Sequence, residues 1–365
     1  MNNNISYLCF NGSDFTNFIA FVKSMNTRNS KTAVLHIEDG KLVCRAIDDL
    51  SAIIEFYVEL YDSENQITEP ISVSIADLSV LIKSAYNNSK FIIRKCFGQF
   101  EFNIVGNGWM PFKASDGDIS KFVIDGVESD VGNINSTKLK NAIQSVLGYT
   151  QDYTYVRDKY IQFNNDQMVV TSRLASVVTS DKFVEMTIRR DVAAMLKSLL
   201  KDEFTLEIKR ISSAIERLLF CGEKFKLCVV ADSVESNNIT YNNNLNDYIT
   251  VDCDELYKLV LFSEEYSVSK HIIGVSVKDA KLNISIKNVL AAKHSSVITS
   301  TVTGDVKDTS KEAEISSHNL LKALKLFQDK RSRNVNIYIN DGILNEQNSI
   351  IMFDNNTQAI INVNR

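Results

Sequence analysis

Six stretches of this chain carry the same apolar quartet at helical spacing. They are Phe15/Phe18/Ile19/Val22, Leu78/Leu81/Ile82/Ala85, Leu139/Ala142/Ile143/Val146 and Val192/Met195/Leu196/Leu199. Leu256/Leu259/Val260 follows, with Ser263 in the fourth place, and Leu320/Ala323/Leu324/Phe327 ends the series. Positions i, i+3, i+4 and i+7 form one stripe along an α-helix. Successive stripes start 63, 61, 53, 64 and 64 residues apart. Strand-like runs follow each one. A unit that recurs at a near-constant period is a repeat, whose copies bury their apolar faces against one another. The unit expected here is strand, helix, three strands. The fold class is therefore α+β, with helices covering one face of antiparallel sheets.

The last helix, Ser317–Arg331, displays the pattern most plainly. Its stripe leaves Lys322, Lys325, Lys330 and Arg331 on the other face, with Asp329 the one acid among them. Over the six helical stretches the net charges are 0, +1, +2, +2, −3 and +3, on a chain of net charge −5. The helices together are positive and the remainder is acidic. The fifth helix breaks the trend with Asp254, Glu255, Glu264 and Glu265.

Along the chain, the Asp39-Gly40 turn predicts a tight hairpin, because Gly tolerates positive φ. Ser74 is a candidate helix cap for the helix 77–88. KFIIRK, QFEFNIV and KFVI read as strands of the second unit. GNGWMPFKASDGD, with Trp109 and Pro111, reads as an irregular loop. The acidic 124–132 and the Asn-rich 236–247 read as linkers. Two units per domain then give three domains, 1–125, 126–246 and 247–365.

Several chemistries have no support. There is no GxxxxGK phosphate loop and no GxSxG. The histidines, His36, His271, His294 and His318, lack metal-ligand spacing, and no CxxC occurs among six cysteines. No cofactor or metal is expected, and the chain does not read as an enzyme. No apolar run is long enough to span a membrane. The start, MNNNISYLCF, lacks the basic end and long apolar core of a secretion signal, so a cytosolic protein is expected.

Three local runs carry a family resemblance. EDGKLVCRAIDDL (38–50), KYIQFNNDQMVVTSRLASVV (159–178) and AEISSHNLLKALK (313–325) resemble stretches of the bacterial-type DNA sliding clamp, the β subunit of replicative DNA polymerase. They resemble its three domains in order. The likeness is of pattern over the full length. The family's TDGHRLA turn reads SRLASVV here and its MPxR-like end reads NVNR. Such divergence, with the abundance of asparagine, suggests a phage or plasmid version.

The resemblance implies a ring of two head-to-tail copies, with helices lining the hole and sheets outside. Its partners would be double-stranded DNA, the replicative polymerase, a clamp loader and a second copy of itself, in the cytoplasm at the nucleoid. Lining lysines and arginines would touch phosphates without reading bases, so the ring slides. The candidates are Lys138, Lys140, Arg189, Arg190, Lys197, Lys322, Lys325, Lys330 and Arg331, with Arg28 on a loop. The family's partner-peptide pocket maps roughly onto Val156, Ser172, Leu174, Ala175, Ile239, Tyr241, Ile360 and Ile361. A competing reading is a structural or assembly protein of a virion, built from repeated α+β units. It accounts for the repeats and the acidity but gives no reason for cations to gather on helices.

Overall fold

The computed structural model describes residues 6–25, 32–48, 52–61, 67–84, 90–105, 108–147, 160–164, 168–171, 175–179, 183–231, 245, 248–266, 272–278, 281–286, 297–301, 311–329, 331–340, 349–355 and 357–362. The expected unit appears six times. The first pair of units is β1 (Ser6–Asn11), α1 (Gly12–Ser24), β2 (Thr32–Glu38), β3 (Lys41–Ile47), β4 (Ile53–Val58), then β5 (Ile71–Ser74), α2 (Ile75–Leu81), β6 (Lys90–Cys96), β7 (Gln99–Ile104), β8 (Met110–Pro111). A short β9 (Ala114–Asp116) trails it. The second pair is β10 (Val127–Asn135), α3 (Ser136–Val146), β11 (Tyr160–Phe163), β12 (Met168–Thr171), β13 (Ala175–Thr179), then β14 (Met186–Arg189), α4 (Arg190–Leu199), β15 (Thr205–Ser212), β16 (Arg217–Cys221), β17 (Phe225–Val230). The third is β18 (Ile249–Asp252), α5 (Cys253–Tyr266), β19 (Ile272–Lys278), β20 (Lys281–Ile286), β21 (Val297–Thr301), then β22 (Lys311–Ser316), α6 (Ser317–Asp329), β23 (Asn334–Asn340), β24 (Ser349–Phe353), β25 (Thr357–Asn362).

Within each pair the first strands are exchanged. β1 pairs with β6 and β5 with β2; β10 with β15 and β14 with β11; β18 with β23 and β22 with β19. Each unit thus completes the sheet of its companion. The half-sheets are then joined edge to edge. β4 pairs with β17 to give a nine-stranded sheet, and β13 pairs with β25 to give one of eight. Two half-sheets, β1-β6-β7-β8 and β21-β20-β19-β22, stay four-stranded. By contact density the chain forms two compact units, Met1–Lys140 with Met195–Asp232, and Asn141–Ala194 with Ser233–Arg365. The nine-stranded sheet belongs to the first and the eight-stranded sheet to the second.

The apolar quartets are what the helices bury. Phe15, Phe18, Ile19 and Val22 are at most 1% exposed, and Leu320, Ala323, Leu324 and Phe327 at most 2%. Between the first two units the Phe10, Phe15, Phe91 and Phe102 rings pack edge to face around α1. No helix among the described residues is long and apolar enough to cross a membrane.

Polar residues decide where most helices start. The last residue of the preceding strand accepts from the amide three residues on in four cases: Asn11 from Asp14, Ser74 from Asp77, Asn135 from Lys138 and Asp252 from Glu255. Ser316 does the same toward Asn319 at 3.4 Å. These are N-caps. The remaining helix, α4, has Arg189 in that place and takes an acid, Asp191, in its first turn. At the other end of α6, Arg331 sits at φ 59 and its amide donates to Gln328 O, while Ser332 N–H reaches back to Phe327 O. That is a Schellman stop with Arg where Gly is usual.

Four expectations are corrected. The helix expected over 77–88 leaves α-geometry at Leu81 and tightens into a 3-10 turn, Ile82–Ser84. The supposed linker 124–132 is mostly strand β10, whose acidic side chains stay exposed while its backbone pairs with β15. The KFVI run is not a strand: its first two residues close a 3-10 turn, Ser120–Phe122, that lays Phe122 on Val34, Ile53, Ile211, Leu219 and Cys228. The loop around Pro111 contributes β8 and β9, since a proline is tolerated on a sheet edge. The Asp39-Gly40 hairpin is as expected, with both residues at positive φ.

His36, on β2, is 8% exposed and lies against Arg45, with Glu38 at 3.0 Å. Burial, then the Arg45 charge, holds its pKa below the usual 6.5. The unfolded chain therefore takes up this proton first. The stability tied to neutral His36 is full above about pH 6.5 and declines as pH falls through the unfolded value. The thermal midpoint of the first compact unit should drop between pH 7.5 and 5.5, and His36→Gln should flatten that slope. A midpoint equally pH-dependent in both proteins would assign the effect elsewhere.

Candidate nucleic-acid interface and partner pocket

The cations of α6 occupy the side that the stripe leaves open. Lys325 and Arg331 are exposed and Lys322 is half-buried, while Ser317, Leu320, Leu321, Ala323, Leu324, Leu326 and Phe327 are buried. Arg331 stands at the carboxyl end of its helix, where positive charge is favoured by the helix dipole. On α3, Lys138 is exposed and Lys140 half-buried; on α4, Lys197 is half-buried in the last turn. Arg190 opens α4. Arg189 ends β14 and holds Asp191, donating from Nε to Oδ1 at 3.0 Å. Its charge is therefore partly satisfied within the chain. Arg28 and Lys330 lie outside the described residues.

The acidic α5 has a local explanation. It packs beside α6, where Asp254 accepts from Gln328 Nε2 at 2.6 Å and Glu264 lies 3.9 Å from His318 Nδ1. Its two ends meet opposite ends of α6, so the helices run antiparallel. Two of its acids therefore face polar groups of the more basic helix. No pattern in the primary structure marked this pairing.

Of the pocket residues, three are brought together. Ala175 lies directly opposite Ile361 in the β13–β25 ladder, and Ser176 opposite Ile360. Ile361 is fully buried and Ile360 partly exposed. Val156, Ser172, Leu174, Ile239 and Tyr241 lie outside the described residues. The β4–β17 joint has the same construction. Ile53, the first residue of β4, pairs with Cys228 near the end of β17. There the chain's own Phe122 covers the pair.

No protein-family model matches the chain, and no curated protein matches it by sequence. Solved structures do match it, over nearly its whole length. The DNA polymerase III subunit beta from Pseudomonas aeruginosa superposes with TM-score 0.78 at 14% identity, covering 98% of this chain and 99% of that one. The pol III beta of Caulobacter crescentus gives 0.80 at 13%, covering 98% and 100%. A DnaN sliding clamp from Bartonella birtlesii, bound to griselimycin, gives 0.77 at 12%, covering 98% and 100%. The chain has the bacterial sliding-clamp fold.

Because the α6 cations lie off the buried stripe, removing them should leave folding intact. The triple variant Lys322→Gln, Lys325→Gln, Arg331→Gln is expected to unfold in urea within about 0.5 kcal/mol per site of the parent. A loss of several kcal/mol would mean these side chains hold the fold together.

Proposed function

We propose that the protein is a DNA sliding clamp, a non-catalytic ring that encircles duplex DNA and tethers a replicative polymerase to it. The observation that carries this reading is the way the sheets end. Two half-sheets are joined through β4–β17 and two through β13–β25, always the fourth strand of one half-sheet to the fourth of another. β8 and β21 hold that same place in the two half-sheets left over. A second copy, arranged head to tail, would join its β21 to β8 of the first and its β8 to β21. Such heterologous contacts close when the rotation between copies fits. The clamp fold over nearly the full chain supports the same reading.

On this reading the three exchanged pairs are three domains, 1–125, 126–246 and 247–365. Six helices per chain line the hole. Lys138, Lys140, Arg190, Lys197, Lys322, Lys325, Lys330 and Arg331 face the phosphates there, with Arg28 on a nearby loop and Arg189 held back by Asp191. Cation–phosphate contacts give affinity without base reading, and the acidic remainder of the chain disfavours binding outside the hole. A loader would open the ring in the cytoplasm, and the polymerase would insert an apolar peptide at the β13–β25 joint. Ala175, Ile360 and Ile361 border that pocket, with Val156, Ser172, Leu174, Ile239 and Tyr241. The peptide would cover the joint as Phe122 covers its counterpart.

Native mass spectrometry is expected to give about twice 41.1 kDa; an open polymer would defeat the ring. After loading, the protein should stay on circular DNA and leave when the circle is cut. Equal retention on linear and circular DNA would overturn the sliding mechanism. The triple α6 variant should form the dimer and lose retention.

Deleting Asn362–Arg365, next to Ile360 and Ile361, should weaken polymerase binding several-fold while circular dichroism and dimer mass stay unchanged. Undiminished binding would move the pocket elsewhere.

A further inference from the structure

The chain has two prolines, and one of them, Pro111, stands in β8. Its orientation follows from the ladder. Phe112 N–H donates to Phe100 O at 3.2 Å, and the register sets Met110 opposite Phe102 and Pro111 opposite Glu101. Alternate residues of an antiparallel strand turn their backbone toward the same neighbour. Met110 and Phe112 therefore face β7, and Pro111 faces the open edge. There it offers a carbonyl acceptor and no donor. Any strand that pairs with β8 finds one hydrogen bond missing at the middle of the joint. Its own carbonyl opposite Pro111 stays unmatched.

The two joints inside the chain have no such gap. β4 and β17 pair over Phe56, Glu55, Ile54 and Ile53 against Phe225, Lys226, Leu227 and Cys228, with Tyr57 N–H donating to Lys224 O at 2.9 Å beyond them. β13 and β25 pair over Ala175–Thr179. None of these residues is a proline. Edge strands are commonly protected against unwanted partners by shortness, charge and proline. β8 is two residues long and is followed by the exposed Lys113. Beside that edge lies a depression of about 950 Å³ lined by Val80, Leu81, Phe100, Pro111 and Phe112. Val80 is 63% exposed. Apolar surface next to a hydrogen-bond-poor edge favours contact by side chains over a continuous backbone ladder.

We propose that Pro111 makes the joint to a second copy of this chain one donor short, so that the β8–β21 contact is the reversible seam of the assembly. This rests on the clamp reading of the preceding subsection. The occupant is β21 of the second copy, the strand that the joining pattern leaves without a mate. The apolar depression holds the copies together, while the missing donor keeps their separation easy.

The test uses the full-length protein and its only tryptophan, Trp109, adjacent to β8. The ring of Trp109 lies 3.8 Å from the Arg94 guanidinium carbon and is 38% exposed, so its emission reports on the edge. Dilution followed by Trp109 emission and by native mass gives the dimer dissociation constant. Pro111→Val restores the donor in each of the two seams of a dimer. At about fivefold per hydrogen bond, its dissociation constant should fall about twenty-five-fold, with slower subunit exchange. Pro111→Ala should shift the same way if the valine variant folds poorly. In either variant, hydrogen exchange should show the new backbone amide at position 111 protected in the dimer and open in the monomer. An unchanged dissociation constant in a dimeric protein overturns the proposal and leaves the clamp reading standing. So does a new amide that exchanges freely in the dimer. A protein that is monomeric at every concentration overturns both.

Discussion

Each repeat unit surrenders its first strand to the ladder of its companion, and the rest of the structure depends on that exchange. A lone unit would keep three strands and one helix, with an open edge and a half-covered apolar face. Three-stranded sheets with one helix are marginal in water. Exchange makes two units mutually dependent, so the stable element is the pair. It also places each helix. Because the donated strand runs straight into its helix, as Asn11 runs into α1 and Asp252 into α5, the strand's register fixes where the helix begins. The capping side chain sits at that junction, on the residue that is both strand end and helix start.

The second constraint is the edge. A half-sheet of four strands presents unpaired backbone groups along its last strand, and the fold meets this by joining such edges. Inside the chain the joints are ordinary ladders backed by apolar side chains. Phe122 covers the first with a turn drawn from the segment between pairs of units. Among the described residues two such edges remain, β8 of the second unit and β21 of the fifth.

Charge is arranged along the same lines. The sheets carry ion pairs such as Arg45 with Glu38 and Glu55 at 2.7 Å, which neutralise the outward faces locally. On α5 two acids, Asp254 and Glu264, are turned to α6. The fold itself is indifferent to most of these charges, since the stripes do the packing. The solved structures that share the fold are 12–14% identical to this chain. Function is not fixed by a fold alone and has to be argued from particular surfaces.

What the sequence determined was whatever depends on local periodicity. The six stripes, the Asp39-Gly40 turn and the α+β class follow from spacing, because side chains at i, i+3, i+4 and i+7 must share a helix face wherever the helix is placed. What tertiary structure decided was whatever depends on partners distant along the chain. Residues 124–132 look like a linker, being acidic and poor in apolar side chains, yet β15 supplies backbone partners that make most of them a strand. The run around Trp109 and Pro111 looks like a loop, because proline cannot donate within a ladder. Only the sheet order reveals that its outer side has no ladder to enter, so the same proline is acceptable there. The acids of α5 read as an exception until α6 lies beside them. Ala175 and Ile361, 186 residues apart, meet only because two edges join. Backbone hydrogen bonds between strands carry no signature in the residues that make them, so pairing across the chain is decided by the assembled sheet.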